Sequence, residues 1–181
     1  MKWKVLSSEY LFQVPWLTVR KDRCELPNGK VMPAFYVLEY PTWVTALALT
    51  KDNKVVMVKQ YRHGIEEIGI ETPGGVVDAG EEPLTAIKRE LLEETGHEFE
   101  SFEYLGKICA NPSTGNNFMH MYLATGGEKV TGQSLDEHED LEVLLYDLDE
   151  VKQLLKENRI MQALHTATLF YGLNKLGEMK Y

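Results

Sequence analysis

The segment from Gly75 to His97, GVVDAGEEPLTAIKRELLEETGH, constrains this chain more than any other, because it must form a short helix with two unlike faces. Glu81 and Glu82 stand where the positive end of a helix dipole favours negative charge. Pro83 suits a first helical position that needs no N–H, and Gly96 can close the last turn. Between them Ala86, Ile87, Leu91 and Thr95 form one stripe that can be buried, with Leu84 and Leu92 beside it. Glu90, Glu93 and Glu94 fall at i, i+3 and i+4 and share another face. Three carboxylates so close repel one another unless a cation is present. A hard, oxygen-seeking ion such as Mg²⁺ or Mn²⁺ would turn the repulsion into coordination, and a plain solvated helix is the alternative when the segment is taken alone.

The rest of the chain supplies the sheet such a helix needs. Residues 17–26, 32–40, 43–50 and 54–60 read as strands, with turns at Asn28-Gly29 and Asp52-Asn53. After the acidic helix, strands are expected near 102–109, 118–125 and 141–147. Two helices follow, over about 148–157 and 161–176, the second with Leu164, Ala167, Thr168 and Tyr171 at helical spacing. No repeat or linker interrupts this order, and a chain of 181 residues, 44% of them hydrophobic, can bury one core without disulfides. The expectation is one α/β domain over 1–181, a mixed sheet flanked by helices.

Charge and cysteine usage narrow the setting. A net charge of -9 argues against a nucleic-acid backbone or an anionic membrane as partner, since both prefer a basic face. Cys24 and Cys109 have neither metal spacing nor a disulfide framework, which fits reduced thiols in a cytoplasmic protein. The N-terminus lacks an unbroken apolar signal region, and no run is long enough to cross a bilayer. Arg62, in QYRHG, can bind phosphate oxygens through two parallel hydrogen bonds. Tyr61, His63 and His120 read as structural. Trp3, Tyr10, Phe12, Trp16, Tyr36 and Trp43 can stack on a nucleobase, though most read as core.

Counted from Gly75, the chain has five residues, Glu81, seven residues, then Arg89, Glu90, an aliphatic residue, any residue, Glu93, Glu94, any residue and Gly96. This pattern resembles the Nudix box, with His97 where the family usually has an aliphatic residue. Upstream, VVMVKQYRHG followed by ETPGG is similar to the Gln-Tyr-Arg strand and Glu-x-Pro-x-Gly turn of the ADP-ribose and nucleoside-diphosphate-sugar pyrophosphatase branch. Asn111-Pro112-Ser113 falls where that branch carries a Pro, and DEHEDLEV, residues 136 to 143, resembles its acidic loop. The similarity spans about residues 34 to 147.

The resemblance implies a Nudix α/β/α sandwich with a mixed sheet and N-terminal antiparallel strands over 1–40, which help to form a homodimer. It implies Mg²⁺-dependent hydrolysis, with Mn²⁺ as a substitute, of the diphosphate bond of ADP-ribose or a related nucleoside-diphosphate sugar. Glu90 and Glu94 match the metal ligands, with Glu93 as a third ligand or a water-holding partner, and the Gly74 carbonyl can join them. Arg89 pairs with a box carboxylate such as Glu81. By position Glu137 matches the catalytic base and Glu139 a further metal ligand, while His138 between them is a weaker candidate base and the two glutamate roles remain exchangeable. Rival readings are nucleoside-triphosphate or RNA 5′-end pyrophosphohydrolysis, and a non-catalytic ADP-ribose-binding module. The retained carboxylates oppose the module and the acidic balance opposes RNA.

Overall fold

A computed structural model describes residues 1–14 and 17–179, so the expected aromatic Trp16 lies outside the described residues. The chain divides into two compact units, Met1–Pro41 with Cys109–Phe118, and Thr42–Ile108 with Met119–Tyr181.

The first unit is an antiparallel sheet of β1 (Lys4–Val14), β2 (Leu17–Glu25) and β3 (Val31–Glu39) in that order. The Asn28-Gly29 turn forms as expected: Leu26 N–H donates to the Lys30 carbonyl at 2.8 Å, and Gly29 takes the left-handed φ of 77° that favours glycine there. Segment 109–118 pairs with β3 through Leu38 N–H to the Thr114 carbonyl at 2.7 Å, and Asn111-Pro112-Ser113 opens its turn. The aromatics of this unit correct the sequence reading. Trp3, Tyr10, Phe12 and Tyr36 are exposed rather than core; for Tyr10 and Phe12 this follows from β1, which is exposed along nearly its whole length.

The second unit carries a seven-stranded sheet. Its strands are β4 (Trp43–Thr50), β5 (Val55–Arg62), β6 (Glu67–Glu71), β7 (His97–Glu98), β8 (Ser101–Ile108), β9 (Met119–Lys129) and β10 (Leu141–Tyr146). The main path runs β10-β5-β4-β9-β7, with β6 on β5 and β8 on β9. Among the described residues only the β4–β9 pairing of this sheet is parallel, so the sheet is mixed as expected.

Alternation along the central strands sorts their side chains to two layers. Val44, Ala46, Ala48, Val56, Tyr122 and Ala124 pack with Ala86, Ile87 and Leu91 of α1 (Pro83–Thr95). The intervening Leu47, Leu49, Val55, Met57 and Leu123 pack with Val151 of α2 (Leu148–Lys156) and Leu169 and Leu173 of α3 (Ala163–Lys175). This is the expected α/β/α sandwich. Ile87 and Leu91 are wholly buried, worth about 1.5–3 kcal/mol each, which fixes α1 on the sheet and its acidic face relative to it. On α3 the buried face is Leu164, His165, Thr168, Leu169, Gly172 and Leu173, whereas Tyr171 is exposed. Among the described residues no helix is long and apolar enough to cross a membrane.

Candidate active site

The glycines around α1 decide how close the sheet and the helix can come. Gly96 caps the helix in the left-handed conformation, and Pro83 occupies its first turn, both as the sequence requires. On the strand side, Gly74 and Gly75 run past the helix face that carries Glu90 and Glu94. A Cβ on Gly75 would lie 2.6 Å from the Glu90 carboxyl, and one on Gly74 would lie 2.2 Å from the Val44 carbonyl. Only bare backbone fits there.

Arg89 organises the acids beside it. Its Nη1 donates to Glu90 at 2.9 Å and to Glu93 at 3.0 Å, and its Nη2 donates to Glu81 at 3.0 Å and to the Val76 carbonyl at 2.9 Å. The expected Arg89–Glu81 pair is thus one part of a larger hub. Among the described residues no ready-made cluster of three metal-ligating side chains stands in place, because Glu90 and Glu93 turn to this guanidinium.

Glu94 takes the other side of the turn and accepts from Gly74 N–H at 2.8 Å. Burial drives its carboxyl up to about 8, against that N–H, and the charges of Glu90 and Glu139 add to the rise. Burial likewise raises Glu90, with Arg89 opposing. Buried Glu90 and Glu94, with Glu139 lining the cavity beside Glu94, offer only oxygen donors, the type a hard divalent cation takes.

The acidic loop is tethered to the end of α1. Ser134 N–H donates to the Glu93 carbonyl at 2.8 Å, and Gln133 Nε2 donates to the Glu94 carbonyl at 2.8 Å. Sequence reading passed over Gln133, since no local pattern marks a side chain that bridges to a distant helix end. The loop brings Glu139 to a cavity of about 840 Å³ that Glu94, Gly74, Gly75 and Arg62 also line. Glu137 and His138 are exposed on the same loop and are not part of the lining.

Across the cavity Arg62 ends β5. Its Nε and Nη2 donate to the two oxygens of Glu71, at 2.9 and 2.5 Å. Burial opposes ionisation of Glu71, yet hydrogen bonds from Arg62 and His165 pull it down to about 2. His165, which no motif marks, lies 3.1 Å from Glu71 through Nε2. Tyr61 and His63 are exposed at the rim, so Tyr61 is not core. His120 lies outside the lining and meets the Tyr104 hydroxyl at 3.1 Å.

Comparison with known proteins identifies the family. A profile described as NUDIX domain matches residues 40–166, and one described as nucleoside diphosphate sugar hydrolase N-terminal domain matches residues 3–38. The chain belongs to the Nudix family. It is 36% identical over 158 residues to a methanol dehydrogenase activator of Bacillus methanolicus, covering 87% of this chain and 85% of that one. It is 30% identical over 161 residues to an ADP-ribose pyrophosphatase of Bacillus subtilis, covering 88% and 86%. A solved structure titled as an ADP compounds hydrolase superposes with a TM-score of 0.84 at 24% identity, over 99% of this chain and 98% of that one. The Nudix fold and the resemblance to the ADP-ribose and sugar-nucleotide pyrophosphatase branch are thereby borne out.

Proposed function

We propose that this Nudix protein hydrolyses the diphosphate bridge of ADP-ribose or a related nucleoside-diphosphate sugar, releasing a nucleoside monophosphate and a sugar phosphate. The observation that carries the reading is the buried Glu90 and Glu94 pair set against the Gly74-Gly75 turn, beside a cavity that also presents Arg62. The names of relatives support the substrate class, ADP-ribose pyrophosphatase among them. The cavity volume is within the range that holds ligands of this size.

Each residue has a part in this reading. Glu90, Glu94, Glu139 and the Gly74 carbonyl would hold a divalent cation, Mg²⁺ with Mn²⁺ as a substitute, which when bound neutralises phosphate charge and makes water more acidic. The position of Gly74 beside Glu94 supports the carbonyl's part. The Gly74 N–H donates to Glu94 at 2.8 Å, which sets the Gly74 backbone beside that carboxyl. Arg89 holds Glu81, Glu90 and Glu93 in register, leaving Glu93 able to orient water. Glu137 takes the proton from the attacking water, and Arg62 binds a phosphate of the substrate. Residues 1–181 act as one catalytic domain in a reducing, cytoplasmic setting, without nucleic acid or membrane. The exposed Trp3, Tyr10, Leu11, Phe12 and Val14 support a homodimer built through residues 1–40, for which light scattering should give twice the subunit mass.

A panel of ADP-ribose, nucleoside-diphosphate sugars, nucleoside triphosphates and 5′-triphosphate RNA, with products separated by chromatography, tests the reading. ADP-ribose or a sugar nucleotide should turn over fastest, and excess EDTA should abolish turnover until Mg²⁺ is restored. Undiminished activity in chelator, or preference for triphosphates or RNA, would reject it. The name of the Bacillus methanolicus relative supports a second reading, in which the chain activates a dehydrogenase. Methanol dehydrogenase turnover with and without this chain decides that, and no stimulation would remove it.

A further inference from the structure

Glu71 and His165 are both buried, and neither belongs to the acidic cluster on α1. We propose that His165 is a positioning residue which, through Glu71, fixes the Arg62 guanidinium in the orientation that receives a substrate phosphate. This rests on the reading of Arg62 as the phosphate ligand.

A guanidinium has five N–H groups on three edges. Glu71 takes the edge formed by Nε and Nη2, which leaves the edge formed by Nη1 and the second Nη2 proton free for an anion. The two ends of the pair differ in surroundings: the Glu71 side chain is 2% exposed and the Arg62 side chain 43% exposed. The anchor is therefore buried while the remaining edge can face the cavity. The fork fixes guanidinium and carboxylate relative to each other but not the pair relative to the sheet, because the last torsion of Glu71 is soft. His165 Nε2, at 3.1 Å from the same oxygen that accepts from Nη2, is the second hold.

The imidazole is itself fixed. Thr72 Oγ1 lies 2.7 Å from His165 Nδ1, Thr45 Oγ1 lies 2.6 Å from Thr72 Oγ1, and Thr45 also reaches the Pro73 carbonyl at 3.1 Å. The Glu71 carboxylate can only accept, so Nε2 carries the ring proton that faces it. One line of hydrogen bonds thus joins α3, the turn after β6, and the end of β5. The line ends on the guanidinium in the cavity.

The test compares two amides that each replace one nitrogen of the ring. His165→Gln keeps a donor near Nε2 and His165→Asn keeps one near Nδ1. With ADP-ribose, His165→Asn should raise KM about tenfold with kcat within about threefold of wild type, and His165→Gln should stay within about threefold on both. In an Arg62→Ala background, His165→Asn should have no further effect on KM. Thr72→Val, which removes only the hydroxyl that sets the ring, should raise KM by an intermediate factor and serves if His165→Asn melts below assay temperature. Unchanged KM in His165→Asn or Thr72→Val, equal losses in the Gln and Asn variants, or an undiminished effect without Arg62 would each overturn the proposal. If Arg62→Ala itself leaves KM unchanged, the reading of Arg62 falls instead and the proposal with it.

Discussion

Replacing Gly75 by Ala adds one methyl group where the structure leaves no room. The new Cβ would lie 2.6 Å from Cδ, Oε1 and Oε2 of Glu90, and ordinary contact begins near 3.4 Å, so the carboxyl must retreat by about 0.8 Å. The backbone at Gly75 does not require the left-handed region, so the strain falls on that side chain. Glu90 is buried and held by Arg89 at 2.9 Å, which makes the displacement a loss of position for a proposed metal ligand rather than a harmless rotation. A misplacement approaching 1 Å costs roughly 100-fold in rate. Weakening one charged hydrogen bond costs about 1–2 kcal/mol, a Tm shift of roughly 3–6 °C for a chain of this size. Gly75→Ala should therefore lower kcat for ADP-ribose about 100-fold, raise the Mg²⁺ concentration needed for half activity, and remain folded by circular dichroism. Gly74→Ala is the control, because its Cβ would meet the Val44 carbonyl at 2.2 Å at a φ of 149° and strain the backbone itself. It should cost about 2–4 kcal/mol of stability. A Gly75→Ala enzyme within threefold of wild type would refute the placement of Glu90 in the catalytic geometry.

Glu94→Gln should lower kcat by about a thousandfold or more with the fold intact, and a variant within tenfold of wild type would exclude Glu94 as a principal ligand. Because burial holds the Glu94 carboxyl at about 8 rather than 4.5, the folded state binds a proton that the unfolded state has lost between those values. The metal-free protein should thus lose stability as pH rises from about 4.5 to 8, Mg²⁺ should raise Tm more at pH 8.5 than at pH 6, and Glu94→Gln should flatten this difference in thermal melts. Glu137→Gln should reduce kcat by about two to four orders of magnitude with little change in metal requirement, whereas Glu139→Gln should raise the metal concentration for half activity. Reversed phenotypes would exchange the two roles.

The box helix was legible in the sequence because its signals are local: Pro83 and Gly96 bound it, and Ala86, Ile87 and Leu91 give its buried face. The central strands were legible through apolar runs such as WVTALALT and KVVMVKQ, which the sheet buries from both sides. Strand β1 was not singled out, since nearly all of KVLSSEYLFQV is exposed and no buried face imposes a period. The same lack of burial turned the expected core role of Tyr10 and Phe12 into exposure. His165 was hidden for another reason: its partners Glu71 and Thr72 lie more than ninety residues away, and only packing of α3 on the sheet brings them together. Tyr171 shares helical spacing with Leu164 and Thr168, yet the buried face of α3 turns through His165 and Leu169 instead.

The site of bond cleavage tests the central claim most directly. Hydrolysis of ADP-ribose in ¹⁸O-labelled water, followed by mass spectrometry, should give AMP and ribose 5-phosphate, with the label on one of the two new phosphates. ADP with free labelled ribose, or labelled adenosine with ribose 5-diphosphate, would show attack at carbon rather than at phosphorus and contradict the account.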